Sequence, residues 1–247
     1  MLMPHDHDMH ARVLSGTISN VRVNDTTAEI FFRSSDSEGM AATGVVAAAM
    51  GLSGAAAGMA GMSMDEMKEP VCQVNFDIDG RHVEALLWNW PFKDGDEVEV
   101  VVEPREGGGY TGFAVLDPNE KIIVLYPHVS AGGKAHWRNV IRISAILIGV
   151  VNFLIWAFLL AAYILVKEIE FKAVVIGSLG GGFLMLAILG LISYNIGRRF
   201  NLFIDMAEPI FTLLGWKDVK NINLRKITKE KKKPTDPPAM GDSYFRY

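Results

Sequence analysis

The chain holds a single cysteine, Cys72, among 247 residues. One thiol excludes an internal disulfide, suits a reducing compartment, and rules out the clustered cysteines of a zinc finger or ribbon. Other absences narrow the function further. Ser130 lies near His128 and His136, but no G-x-S-x-G elbow surrounds it. The glycine-rich stretches are followed by no Lys-Ser/Thr of a phosphate loop and stand in no dinucleotide-binding fingerprint. The N-terminus, MLMPHDHDMH, lacks the basic start and apolar core of a signal peptide, so the first span is expected to act as the insertion signal. His5, His7 and His10 alternate with Asp6 and Asp8, a weak chelating pattern that a polar terminus explains equally well, and no further His or Cys cluster completes a shell. The chain therefore reads as a non-enzyme with no cofactor and no metal site.

The most consequential absence is of charge. From Ile143 to Val166 there is no charged residue and no histidine, and a second uncharged run extends from Ala173 to Gly197. At about 1.5 Å per residue each run reaches the roughly 30 Å of a bilayer's hydrocarbon core. Only Lys-Glu-Ile-Glu-Phe-Lys at 167–172 separates them, which predicts two transmembrane helices, 143–166 and 173–197, joined as a tight hairpin. Lys134, Arg138 and Arg142 precede the first run and Arg198 and Arg199 follow the second. Positive flanks stay cytoplasmic, so both termini are expected in the cytoplasm of a multi-pass membrane protein, with the bilayer itself as a partner.

Charge is also unevenly spread. Residues 1–133 carry 8 basic and 20 acidic side chains, whereas 198–233 carry 10 basic and 4 acidic. Anionic lipid repels the first part and attracts the second. The acidic balance also opposes binding to nucleic acid.

Before the spans the chain reads as strands: Val13–Val23 and Ala28–Arg33 around an Asn24-Asp25 turn, then Cys72–Ile78 and His82–Trp88 around Asp79-Gly80, the strongest hairpin signal of the set. Glu97–Glu103, Tyr110–Leu116 and Lys121–Tyr126 follow, separated by Gly107-Gly108-Gly109 and Asp117-Pro118-Asn119. Short strands at this spacing predict a small closed barrel of the OB or SH3-like kind within a cytoplasmic domain at 13–133. A Gly/Ala/Met-rich stretch without charge, 39–64, interrupts it and is read as a helical insertion at 39–67. Gly54 and Gly58 have the spacing of close helix packing against the membrane or sister copies. A flexible insertion packed on its own barrel, or a segment that enters the membrane on activation, fits the same residues.

In the second span Gly177 and Gly181 are again four apart and are assigned to helix packing, within the chain or in a homo-oligomer. No charged residue marks an ion path through either span. Asn152 is the better placed of two amides for a bond between helices. Beyond the spans, Phe200, Phe203, Ile204, Ala207, Phe211 and Leu214 recur at near-helical spacing, predicting an interfacial amphipathic segment at 198–226, broken or restarted at Pro209 and capped at Gly215. The first twelve residues and a basic, Pro-rich tail at 227–247 read as disordered. The expected fold class is thus membrane α+β: a barrel with a helical insertion, a two-span hairpin and an amphipathic C-terminal segment.

The SGxIxNxRV start at Ser15, the Ala/Gly/Met-rich insertion, DGRHVEALLWNWPFKDGDEVEVV at 79–101, LYPHVSAGGKAHW at 125–137, the two spans and LLGW at 213–216 together resemble proteobacterial inner-membrane proteins labelled as type VI secretion system effectors. The similarity runs from about Ser15 to about Lys226, and LYPH followed by KAHW is its most specific part. Relatives carry a basic residue between those halves, where this chain has Ala131-Gly132-Gly133. The resemblance implies a role in interbacterial competition, with a toxin or secretion-apparatus protein as partner. Two roles fit that implication: a resident immunity or accessory partner of a membrane-targeting toxin, or the delivered membrane-disrupting effector. An oligomeric scaffold or channel with a cytosolic β domain stands outside it as a third reading.

Overall fold

The structure, a computed structural model, describes residues 11–29, 68–105, 107–166 and 170–247. The expectations for 1–10 and for the insertion at 39–67, with Gly54 and Gly58, lie outside those residues. The described chain forms two compact units, one from residues up to Val129 together with Leu224–Tyr247, the other from Ser130–Asn223.

The first unit is a β-barrel. Strands β1 (Arg12–Glu29), β2 (Lys68–Ile78), β3 (Arg81–Leu87), β4 (Glu97–Pro104) and β5 (Tyr110–Asp117) lie in the order β3-β2-β1-β4-β5. A parallel pairing of β3 with β5, Val83 opposite Tyr110, closes the ring of five. All other pairings in the ring are antiparallel. The β2–β3 turn is built as its sequence requires: Asp79 and Gly80 both take positive φ, 47° and 76°, the two-residue geometry that matches strand twist. Alternation fills the barrel. Val98, Val100 and Val102 of β4 point inward with Val74 and Phe76 of β2, Val83 of β3, and Val115 of β5.

The outer face of β4 and β5 is buried as well, because Val101, Ala114 and Leu116 alternate with those inward residues yet are at most 3% exposed. The C-terminal segment, which composition assigns to disorder, is ordered instead. Strand β6 (Ile122–Leu125) pairs with β5, and β7 (Phe245–Arg246) pairs with β6, Ile122 opposite Arg246 and Ile123 opposite Phe245. Phe245 and Leu224 are fully buried. Arg246, 6% exposed, donates to both oxygens of Asp236, at 2.6 and 3.2 Å, and to the Glu120 carbonyl at 2.8 Å. Three acceptors, one on each guanidinium nitrogen, hold a charge that a Pro/Lys-rich composition gives no reason to expect inside. Helix α4 (Leu224–Lys231) holds Thr228, whose hydroxyl accepts from the Arg246 N–H at 2.9 Å.

Asn24-Asp25 is not a turn. β1 runs through it, pairing Asn24 with Gln73 and Asp25 with Cys72, because a partner strand more than forty residues away in sequence supplies the ladder. The irregularity falls earlier, between Ser19 and Arg22, where Asn20 takes φ 54° and the pairing register shifts. Arg12, expected in the disordered start, opens β1 and bonds the Tyr110 hydroxyl.

The second unit is helical: α1 (Gly133–Leu165), α2 (Phe171–Arg199), α3 (Asn201–Leu213) and a 3₁₀ turn at Val219–Asn221. Pro209 does not break α3; the helix carries on to Leu213 with Phe203, Ala207, Ile210 and Phe211 buried, so packing outweighs the one lost backbone bond. It stops where LLGW dictates. Gly215 takes φ 72°, its N–H donates to Thr212 O at 2.9 Å, and the Trp216 N–H donates to Phe211 O at 3.0 Å. Phe211 and Trp216 stack at 5.3 Å between ring centroids, the hydrophobic contact that accompanies such a cap.

Candidate membrane-facing surface

Helices α1 and α2 are each long and apolar enough to cross a membrane, and none of their most apolar eighteen-residue windows is buried within the chain. Phe153, Phe158, Leu165 and Phe183 are each more than 70% exposed. Aliphatic and aromatic side chains left in water over such an area cost about 25 cal/mol per Å² of apolar surface, and a contiguous patch of this size marks a surface made for something other than water.

The two helices pack antiparallel. Trp137 near the start of α1 stacks on Tyr194 near the end of α2, centroids 5.7 Å apart, and Tyr163 at the far end of α1 meets Phe171 at the start of α2. Gly177 and Gly181 lie towards α1, but a Cβ there would find Leu159 at 3.8 Å and Ile155 at 4.0 Å, ordinary contact distances. The close approaches are elsewhere. A Cβ on Gly182 would collide with the Asn152 amide oxygen, and one on Gly197 would meet the Trp137 ring at 3.0 Å and Val140 at 3.2 Å. Asn152 itself donates within its own helix, to Ile148 O at 2.9 Å, rather than across to α2. Spacing alone points to the four-residue pair; the contact surface depends on where the helix faces its neighbour.

The basic flanks sit at one end of this pair, since α1 begins where α2 ends. Glu208 of α3 accepts the Gly133 N–H at 3.0 Å, placing a carboxylate at the N-terminus of α1 where its dipole favours negative charge. Arg198 and Arg199 occupy the last turn of α2, the complementary arrangement. His136 Nε2 lies 3.1 Å from the Gly197 carbonyl. Arg138 has a structural partner, donating to Asn221 Oδ1 at 2.9 Å, while Asn221 in turn donates to Asp218. Lys134, Arg142 and Arg198 are exposed.

The barrel carries a polar face invisible in the sequence. Asn20 and His82 both bond Asp77, at 2.8 and 3.0 Å, beside Arg22 and Asn75, around a cleft of about 450 Å³. The Asn20 and His82 contacts hold the Asp77 carboxyl below the usual carboxylate range. The bulge at Asn20 turns that amide towards a residue on the neighbouring strand, a juxtaposition no linear motif announces. Glu84, next on the face, pairs with Arg105. Among the described residues no serine, threonine or cysteine lines this cleft; Cys72 lies against Asp25 at 3.3 Å, and burial pushes its thiol up to about 11. Among the described residues no three His, Cys, Asp or Glu side chains converge as metal ligands.

The most specific residues of the family resemblance make packing contacts. Within the first unit, His128 of LYPH lies 4.6 Å from the Trp88 ring, which also meets Phe245 and lies under Arg225. Within the second, His136 and Trp137 of KAHW make the α1–α2 contacts already described.

No family model matches the chain, and no curated protein or solved structure matches it either.

Proposed function

We propose that the chain is a two-span membrane protein whose barrel and both termini share the cytoplasmic side, and that it works there by binding a protein partner rather than by catalysis. The observation that carries this reading is the strand pair β6–β7. β6 precedes the two apolar helices and β7 follows them, yet Ile123 lies opposite Phe245 in one sheet. A sheet is not assembled from segments on opposite faces of a bilayer, so this pairing supports an even number of crossings between them. The basic residues at the shared end of the pair, Lys134, Arg142, Arg198 and Arg199, favour the cytoplasm for that end.

The strand order, with β3 and β5 parallel, supports an OB-like rather than an SH3-like barrel. Its exposed Asn20–Asp77–His82 face and acidic surroundings suit a protein ligand better than a nucleic acid. On the family resemblance, that ligand is a component of type VI secretion-linked competition, and the chain is a resident immunity or accessory partner of a membrane-targeting toxin. Residence fits a chain whose folded unit is completed only across two inserted helices.

Two measurements test the reading. Cysteines placed at Lys121 and Ser243 in a Cys72→Ser background are expected to resist a membrane-impermeant maleimide in intact cells and to react after permeabilisation; labelling of either in intact cells overturns the topology. Expression in a susceptible cell is expected to protect it from a membrane-targeting toxin delivered by a type VI system and to leave the membrane potential intact. Depolarisation without protection rejects residence in favour of delivery.

A further inference from the structure

Between α1 and α2, at the end that bears the basic flanks, lies a groove of about 440 Å³ lined almost wholly by apolar atoms. Trp137, Ile141 and Ile148 form one wall, and Gly190, Ser193 and Tyr194 the other. Gly190 borders it, and a Cβ there would have no heavy atom within 4 Å, so the space beside this glycine is open to a larger side chain. The helices do not fill the space themselves.

Charge complementarity identifies the occupant. Lys134 is one turn before Trp137 and in line with Ile141, and Arg198 is one turn after Tyr194 in line with Gly190, by the three- and four-residue spacing of a helix face. Because the helices are antiparallel, that spacing brings both cations to the same end of the groove, and both are exposed, while the Glu208 carboxylate at this end is engaged by the Gly133 N–H. An apolar slot whose open end is flanked by two cations, with an indole and a phenol at the boundary, matches a diacyl lipid with an anionic headgroup: chain in the slot, phosphate between Lys134 and Arg198. A zwitterionic lipid would satisfy the slot but bring a quaternary ammonium to the same cations.

We propose that this groove is a binding site for one anionic phospholipid, resting on the membrane reading above. The full chain, reconstituted in nanodiscs of phosphatidylcholine with a minor fraction of phosphatidylglycerol and released into native mass spectrometry, is expected to retain phosphatidylglycerol at least about fivefold above its share. Gly190→Leu fills the slot with a residue helices favour, and the paired Lys134→Gln/Arg198→Gln variant removes the headgroup contacts; each is expected to bring retention down to the bulk ratio. Equal retention by the unaltered chain and both variants overturns the site. So does a Gly190→Cys chain that crosslinks to a second copy and retains no phosphatidylglycerol, which gives the groove to a sister helix. Failure of the membrane reading looks different, since the chain would then be stripped from cell membranes by alkaline carbonate.

Discussion

Phe245→Ala is the sharpest perturbation of the unit that joins the two ends of the chain. The ring is fully buried, stands opposite Ile123 in the β6–β7 pair and meets the edge of Trp88 at 6.5 Å. Truncating a buried Phe costs about 3–5 kcal/mol, transfer and cavity together. The barrel has its own core and need not lose that amount, because the tail can open alone: when the cost exceeds what docks the tail, the segment leaves and the remaining sheet stays folded. The amides to watch are Arg246, donating to Thr228 Oγ1, and Tyr247, donating to Lys121 O. At about 1.4 kcal/mol per factor of ten, their protection against hydrogen exchange should fall by roughly 10²–10⁴, or to the free-chain rate if that comes first. Exchange of the nanodisc-embedded chain followed by mass spectrometry of the C-terminal peptide reads this directly, with exposed Lys231→Ala as a control expected to change nothing. Protection within about threefold of the parent would refute the docked tail, and with it the argument that both flanks share one side of the membrane.

The Asp236–Arg246 pair gives the same tail a pH dependence. Arg246 and the Lys233 N–H hold the Asp236 carboxyl below its ordinary value of 3.8, so its contribution is present above that value and lost as pH falls through the lower, folded one. The tail should therefore remain docked at pH 5 and loosen only below about pH 4, read by limited carboxypeptidase digestion; release near neutrality would discredit the pair. Cys72, with its thiol pushed up to about 11, should alkylate at pH 8 more than tenfold slower than a free thiol of about 8.5, and iodoacetamide rates at the model-peptide speed would contradict its burial. In the helix pair, Gly177→Ala and Gly181→Ala should be tolerated in detergent, whereas Gly197→Leu, driven into Trp137 and Val140, should cost about 1–3 kcal/mol of overpacking, seen as a lowered thermal midpoint; equal behaviour of all three would mean the helices do not pack as described.

What could be read in the sequence was whatever depends on local pattern. The uncharged runs at 143–166 and 173–197 mark the helices, although α1 begins ten residues earlier at Gly133, because hydropathy registers the hydrocarbon depth and not the helix, whose first turns carry Lys134 and Arg138. Asp79-Gly80 and Gly215 were legible because their backbone geometry is chemically demanded where they stand. Asn24-Asp25 misleads for the opposite reason: a turn-prone pair is straightened by ladder bonds to β2, a partner the intervening forty residues conceal. The tail misleads through composition. Lysines and prolines outnumber its apolar residues, yet Met240, Tyr244 and Phe245 are buried, the first two in the barrel core, and Arg246 is held by Asp236 and the Glu120 carbonyl. The Asn20–Asp77–His82 face could not be anticipated at all, since it exists only in the register of three strands and the bulge in one of them.

The β6–β7 pair also fixes an order of events in synthesis. Leu125 and Phe245 are separated by about 120 residues, which at roughly 5–20 residues per second places the final strand some 6–25 s behind its partner at the ribosome. Throughout that interval both apolar helices emerge while the free edge of β6 has no neighbour to cover it. Unpaired edges recruit other chains. A chain whose synthesis stalls in that interval carries an open β6 edge for as long as the stall lasts, so prompt completion of the C-terminal strand is what protects that edge.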